Sequence, residues 1–348
     1  MDQNLIEKVK LSISNIESKK FRIYFFVQDT KGNAKASLSY IYRMAMSLKT
    51  EGYNPIMLHE KPDYTKVGEW LGAEFDELEH QSVEGQNLAI APEDILVIPE
   101  IFGYVMEQVA NLPCGKIVLC QAYDHVFETL APGATWNQFG FLKCVVTSEN
   151  MKNYMDDIMK SISYTIIEPT ISQHFTKDKY PAKPIVAVHS REQRDGLNFI
   201  KQFYLKFPQF RWVTFRDMRG MSEEQLANTI KDCFVSVWID PTSSFGTYPL
   251  ESMKMGVPVI GKTPNLKHEW MKQENGVWVE NQLDMVNVLA NYLQNWLEDN
   301  INAELYTNGI ETAEKFSNNE KFSKEVVALF SDFSNKRKDV FSQQLNNQ

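Results

Sequence analysis

Residues 243–261 read SSFGTYPLESMKMGVPVIG, and the reading of the fold starts from them. A loop containing Gly246 runs into a short helical segment with Pro249 near its start and a carboxylate, Glu251, in its first turn. Gly256 ends that segment, and the strand-like run VPVIG comes next. Proline costs nothing at the first helical position, where its missing N–H would be unpaired anyway, and the free N–H groups of a first turn attract an anion. Gly246 lets the backbone come close to a ligand. A carboxylate is a poor phosphate ligand but a good acceptor for the two hydroxyls of a ribose, the part acids play in dinucleotide-binding folds. The combination suits a nucleotide diphosphate held by its phosphates and its sugar. It also suits a plain helix between two buried strands, with Glu251 favoured by the helix dipole by less than ~1 kcal/mol.

On either side of this stretch, apolar runs of strand length alternate with segments of helical period. FRIYFFV precedes LSYIYRMAMSLKTEG, then come PIMLH, DILVIPE with YVMEQVANL, KIVLCQ, and FLKCVVTS with MKNYMDDIMKSI. Strands that are apolar throughout, each followed by a helix, predict parallel sheets covered on both faces. After YTIIEPTISQHF a polar stretch, TKDKYPAKP, intervenes, and the alternation restarts at PIVAVHS. The expected fold class is therefore α/β, with two Rossmann-like doubly wound domains facing a central cleft, residues 1–175 and 176–320. The helical tail, 321–348, is a segment able to cross back to the first domain.

The chain has 348 residues, 43% hydrophobic, more than one core usually organises. Its net charge is -9, so its overall field repels phosphate backbones and anionic lipid. The short basic runs, NKRKD near the C-terminus and Arg211, Arg216 and Arg219, read as solvated faces. Cys114, Cys120, Cys144 and Cys233 have no paired spacing, and three lie in or beside apolar runs, as buried free thiols do. With no leader-like N-terminus and no long apolar span, a cytoplasmic protein is expected. The histidines at 59, 80, 174, 189 and 268 lack metal-ligand spacing and no Asp-x-Asp occurs, so neither a metal ion nor a cofactor is expected.

Residues 243–261 resemble the signature of the large retaining glycosyltransferase family of the glycosyltransferase B fold, family-4-like. Its pattern is two glutamates with seven residues between them, the first before Gly-Phe-Gly and the second before a small residue, Met, two residues, Gly and then Pro-Val-Ile. Phe245, Gly246, Glu251, Met253, Gly256, Pro258, Val259 and Ile260 match. Other segments are similar to the family in the same order: IYRMAMSLKTEGYNPIML, IIEPTISQHF, PIVAVHSREQRDGLNFIKQFYLKFP, and the Asn-Gly turn of ENGVWVEN. The resemblance covers roughly residues 21–320.

The resemblance implies that Glu251 binds the ribose and that the amides of Gly246 and Thr247, beside Phe245, approach the donor. Arg191 stands where the family offsets the charge of the departing diphosphate. The family's companion lysine falls at Gly196, and Arg194 is the nearest cation. The first glutamate of the pair falls at Ser243, which offers the transferred sugar one hydroxyl in place of a charged bidentate acceptor. In the first domain Gly32, within DTKGNAKAS, matches a glycine loop near the phosphates or acceptor, and it also fits a plain turn. Gln121, with Asp124 and His125 beyond it, lies at a strand end on the acceptor side, where an Asp-His pair capping a helix would look the same. Glu100 either binds acceptor hydroxyls or caps the next helix.

The expected activity is a retaining, metal-independent transfer of a sugar from a nucleotide diphosphate donor, a UDP-sugar foremost, to a glycan, a small molecule or a modified base in DNA. The alternative is a degenerate relative that binds nucleotide without turnover.

Overall fold

A computed structural model describes residues 3–85, 88–176, 183–243, 245–300 and 302–346. Two compact units divide the chain, one of Met1–Ile167 with Glu320–Gln348 and one of Glu168–Asn319. The division thus falls after Ile167 rather than at 175, and most of the polar stretch expected to act as a linker, residues 177–182, lies outside the described residues.

In the first unit α1 (Gln3–Glu17) precedes β1 (Arg22–Phe26), α2 (Ala36–Thr50), β2 (Asn54–His59), β3 (Glu79–Ser82), β4 (Ile95–Pro99), α3 (Gly103–Gln108), β5 (Gly115–Cys120), α4 (Tyr123–Thr129), β6 (Lys143–Val146), α5 (Glu149–Ile158) and β7 (Ser163–Ile166). The seven strands form one parallel sheet in the order β3-β2-β1-β4-β5-β6-β7. Every residue of β4 and β5 is buried, as strands covered on both faces require. Lys116 in β5 is accommodated because its ammonium donates to the Ala110 carbonyl at 2.5 Å.

The second unit holds β8 (Lys183–Ser190), α6 (Gln193–Lys206), β9 (Thr214–Asp217), α7 (Glu223–Ile230), β10 (Cys233–Ile239), α8 (Thr247–Lys254), β11 (Val259–Lys262), β12 (Val277–Val279), α9 (Gln282–Leu297) and α10 (Ala303–Glu314). Its parallel sheet runs β12-β11-β10-β8-β9. In both sheets the strand order reverses beside the first strand, between β1 and β4 and between β8 and β10. Ligands of open α/β sheets bind at the carboxyl ends of strands at such switch points.

The tail is α11 (Asn319–Asn346), and it belongs to the first unit's core. Phe322, Val326, Leu329 and Phe330 are buried there, with Phe330 5.8 Å from Phe25 and Phe322 5.8 Å from Tyr40 between ring centroids. Among the described residues no helix is long and apolar enough to cross a membrane.

Candidate active site

At the switch point of the second unit, the residues just past β8 and β10 come together. The Arg191 amide extends the ladder by donating to the Ile239 carbonyl at 3.0 Å, which places its side chain beside the loop that leaves β10. The guanidinium donates to the Thr242 hydroxyl and stands 3.8 Å from an Asp240 carboxylate oxygen. Asp240 also accepts the Thr242 amide at 3.2 Å. This cationic group is therefore held by the loop beside Ser243, which is itself partly exposed. Arg194 lies in the first turn of α6 and is exposed. Gly196 is buried, and a Cβ there would meet the Ser190 hydroxyl at 2.7 Å, so the matched lysine position is filled by close packing of α6 on β8.

Gly246 caps α8 in the left-handed conformation, at φ 75°, which favours glycine over every other residue. The helix begins earlier than its proline suggests. Thr247 is its first residue, Pro249 its third and Glu251 its fifth, so Glu251 lies in the second turn and not in the first. The helix-dipole account of this glutamate loses force with that shift, because the effect fades beyond the first turn. Glu251 is buried at 7% exposure, which an acid in an apolar core tolerates only with partners. Phe245 faces inward, edge-to-face with Phe316 at 5.2 Å, so its ring is a core residue and its backbone alone is available to a ligand.

Three features of this site carry no sequence signal of their own. His189, at the end of β8, stacks on Tyr248 with ring centroids 4.3 Å apart, and burial lowers its pKa to about 4, so the ring is neutral. The Tyr248 hydroxyl shares hydrogen bonds with Ser236, which in turn bonds Ser252, each at 2.9 Å. Trp270, from the loop after β11, donates its indole N–H to the Phe245 carbonyl at 2.8 Å. Neither the spacing of these residues nor their types distinguish them from ordinary core in one dimension.

The first unit's candidates gather at the carboxyl ends of β1, β4 and β5. Gly32 has φ 80° in the loop between β1 and α2, and a Cβ there would lie 3.9 Å from the Thr65 methyl. Asp29 closes this loop by accepting the Lys31 amide at 2.9 Å and the Thr65 amide at 3.3 Å. Gln121 donates to the Ser37 carbonyl at 3.2 Å. Glu100 is 3% exposed and accepts the Ala122 amide at 2.7 Å, with the His125 ring nitrogen 3.8 Å away. Its carboxylate therefore holds the residue that precedes α4, with the His125 ring beside it. Asp124 occupies the first turn of α4. His59 and His80, unremarkable by spacing, bond to each other at 2.8 Å while Tyr64 stacks on His59 at 3.9 Å.

Three cations of the short basic runs stand beside carboxylates, and a fourth is tied to backbone carbonyls. Arg219 is bonded to Asp217, Lys336 pairs with Asp332 at 2.8 Å, Lys338 approaches Glu17 at 3.6 Å, and Arg337 donates to the Pro92 and Pro113 carbonyls.

No protein-family model matches the chain. Solved structures do. Sucrose-phosphate synthase from Thermosynechococcus elongatus superposes at a TM-score of 0.65 over 89% of this chain and 98% of that one, at 13% identity. The Anabaena protein HepE in complex with UDP gives 0.64 over 90% and 100%, at 9% identity, and the pneumococcal O-GlcNAc transferase GtfA with UDP and GlcNAc gives 0.62 over 91% and 99%, also at 9%. The chain has the glycosyltransferase B fold. This glycosyltransferase B fold also has a relative in sequence, an alpha-1,6-glucosyltransferase of Actinobacillus pleuropneumoniae serotype 7, 22% identical over 205 residues. That match spans 56% of the chain and 61% of the relative.

Proposed function

We propose that the protein transfers a sugar from a nucleoside diphosphate sugar, a UDP-hexose foremost, to an acceptor hydroxyl with retention of configuration and without a metal. One observation carries the reading: a left-handed glycine cap, the first turn of α8, a buried glutamate and a cation anchored at the neighbouring strand end share the switch point of one sheet. The solved complexes of HepE and GtfA with UDP support the nucleotide, and the glucosyltransferase relative supports a hexose.

In this reading the amides of Gly246 and Thr247 receive the diphosphate, and Glu251 accepts the ribose hydroxyls. As the glycosidic bond breaks, positive charge develops on the sugar and negative charge on the leaving phosphate. Arg191, already oriented by Thr242, meets that negative charge without reorganising, the kind of preorganisation that supplies most electrostatic catalysis. Metal independence rests on these groups doing the work of a cation and on a sequence without Asp-x-Asp. The four thiols, all free and buried, suit a reducing cytoplasm.

The test is a panel of nucleotide sugars with calorimetry. Glu251→Gln should weaken UDP binding about tenfold or more, because a bond to a charged group is typically worth ~1.5–3 kcal/mol. Arg191→Ala should lower kcat more than it weakens UDP binding, since phosphate charge grows toward the transition state. UDP affinity unchanged in Glu251→Gln would remove that residue from the site. Turnover of no donor by a protein that still binds UDP would favour the non-catalytic reading, to which Ser243 and Gly196 point. Transfer to a modified base in DNA is disfavoured by the net charge of -9 and by the carboxylates beside Arg219, Lys336 and Lys338.

A further inference from the structure

Trp270 and the Asn275–Gly276 turn have no part in the chemistry above, yet they bear directly on the loop that does. The Trp270 indole N–H donates to the Phe245 carbonyl at 2.8 Å, across 25 residues of sequence and out of contact with solvent. The same ring stands over the next residue: a Cβ on Gly246 would lie 2.9 Å from its Cζ2, and 3.2 Å from Cδ2 of His268. Asn275, 2% exposed, fixes the tryptophan from behind. Its amide donates to the Trp270 carbonyl at 2.6 Å and to the Thr312 hydroxyl at 3.0 Å, while its oxygen accepts the Lys272 amide at 3.1 Å and the Trp278 indole at 3.3 Å. Trp270 and Trp278 pack edge-to-face at 5.6 Å.

A peptide group is planar and trans, so its C=O and N–H point in opposite directions. A hydrogen bond that turns the Phe245 carbonyl toward the indole therefore turns the Gly246 N–H away from it. Bonding at the carbonyl also polarises the peptide and strengthens the N–H as a donor. A buried indole N–H needs some acceptor, and here that acceptor is the carbonyl of the peptide whose N–H begins the glycine cap. We infer that Trp270, held by Asn275, is a positioning residue: it sets the Gly246 amide, and the start of α8 after it, for the diphosphate of the donor. The inference rests on the donor-binding reading proposed above. It also gives the Asn-Gly turn a purpose, as the anchor of that tryptophan.

Three proteins and two ligands test it. Trp270→Phe keeps a ring and loses the N–H. Trp278→Phe is the control for the aromatic cluster: its indole donates to the Lys272 carbonyl at 2.9 Å and more weakly to the Asn275 oxygen at 3.3 Å, so it loosens the same surroundings while both the Asn275 bond to the Trp270 carbonyl and the Trp270 bond to the loop remain. UDP and uridine are titrated by calorimetry into each folded protein. The expected result is a loss of UDP affinity of about fivefold to tenfold in Trp270→Phe, the size of one misdirected hydrogen bond of ~1 kcal/mol or slightly more, with uridine binding unchanged. Trp278→Phe should lose stability without losing UDP affinity selectively. If Trp270→Phe does not fold, Asn275→Ser carries the same prediction, since it frees the Trp270 backbone and leaves the indole. Equal affinity for UDP in Trp270→Phe and the unaltered protein overturns the inference alone, as does an equal loss for UDP and uridine. Failure of the unaltered protein to bind UDP, GDP or ADP overturns the donor reading, and the inference with it.

Discussion

Gly196 lies against Ser190, so close that a Cβ at position 196 would stand 2.7 Å from the serine hydroxyl and 3.5 Å from a Val188 methyl. Helix α6 reaches β8 at this point because a side chain is missing. Gly196→Lys should therefore destabilise the protein by ~1–2 kcal/mol, overpacking of ~1–3 kcal/mol being offset in part by the helical gain of up to ~1 kcal/mol from replacing glycine. Adding Ser190→Gly should recover most of the loss. A thermal midpoint raised by Gly196→Lys alone would show that the serine yields freely.

Ser243 is partly exposed and precedes the Gly246 cap. Ser243→Glu restores a charged acceptor pair without burying it, and should change the ratio of kcat/KM between UDP-hexoses by about tenfold or more. Kinetics across a donor panel give that ratio. An unchanged ratio would place position 243 away from the sugar.

Glu100→Ala removes the acceptor of the Ala122 amide, and leaving that donor unpaired should cost ~1–3 kcal/mol in denaturant unfolding. Glu100→Gln keeps an oxygen there and should cost much less. An acceptor KM that responds to Glu100→Gln while stability does not would return this residue to the binding surface.

His59 and His189 both have pKa values lowered by burial to about 4, against 6.5 for an exposed ring. In the folded state they stay neutral where the unfolded chain is protonated. Between pH ~4 and ~6.5 the unfolded state thus binds more protons, so stability is full above pH ~6.5 and falls as the pH drops toward 4. The groups around them do not reverse this: Asp29 favours His59 protonation but His80 opposes it, and Asp217 beside His189 is offset by Arg219. Denaturant midpoints from pH 7.5 to 5 should fall steadily, and His189→Gln should flatten the slope. A flat profile in the unaltered protein would contradict both assignments.

Deleting residues 320–348 takes Phe322, Val326, Leu329 and Phe330 from the core of the first unit. Hydrogen exchange should then show β1 and β4 losing protection while β8 and β10 keep theirs. The milder Phe330→Ala should cost ~3–5 kcal/mol, as large aromatic truncations in a core do.

The apolar runs ILVIP, GKIVLC and CFVSVWI are legible because a strand buried on both faces leaves a continuous one-dimensional trace. So is the Gly246 turn, since only glycine takes φ 75° there without strain. The polar edge strand β3, EHQS, leaves no such trace, because one of its flanks pairs with nothing among the described residues and its side chains need not be apolar. Pro249 misplaces the start of α8 by two residues: the proline that marks a first position in isolation sits third, after a glycine cap that tertiary contacts with Trp270 and His268 hold in place. The sequence by itself determined the succession of strands and helices and the residues at the turn of residues 243–261, because backbone propensity and hydrophobic period are local. Which carbonyl an indole 25 residues away would hold, whether Glu100 faces a ligand or the Ala122 amide, and where the last helix packs were decided only in three dimensions. Each depends on a single directional bond or a shared core between segments far apart in the chain, and local composition does not encode such a pairing.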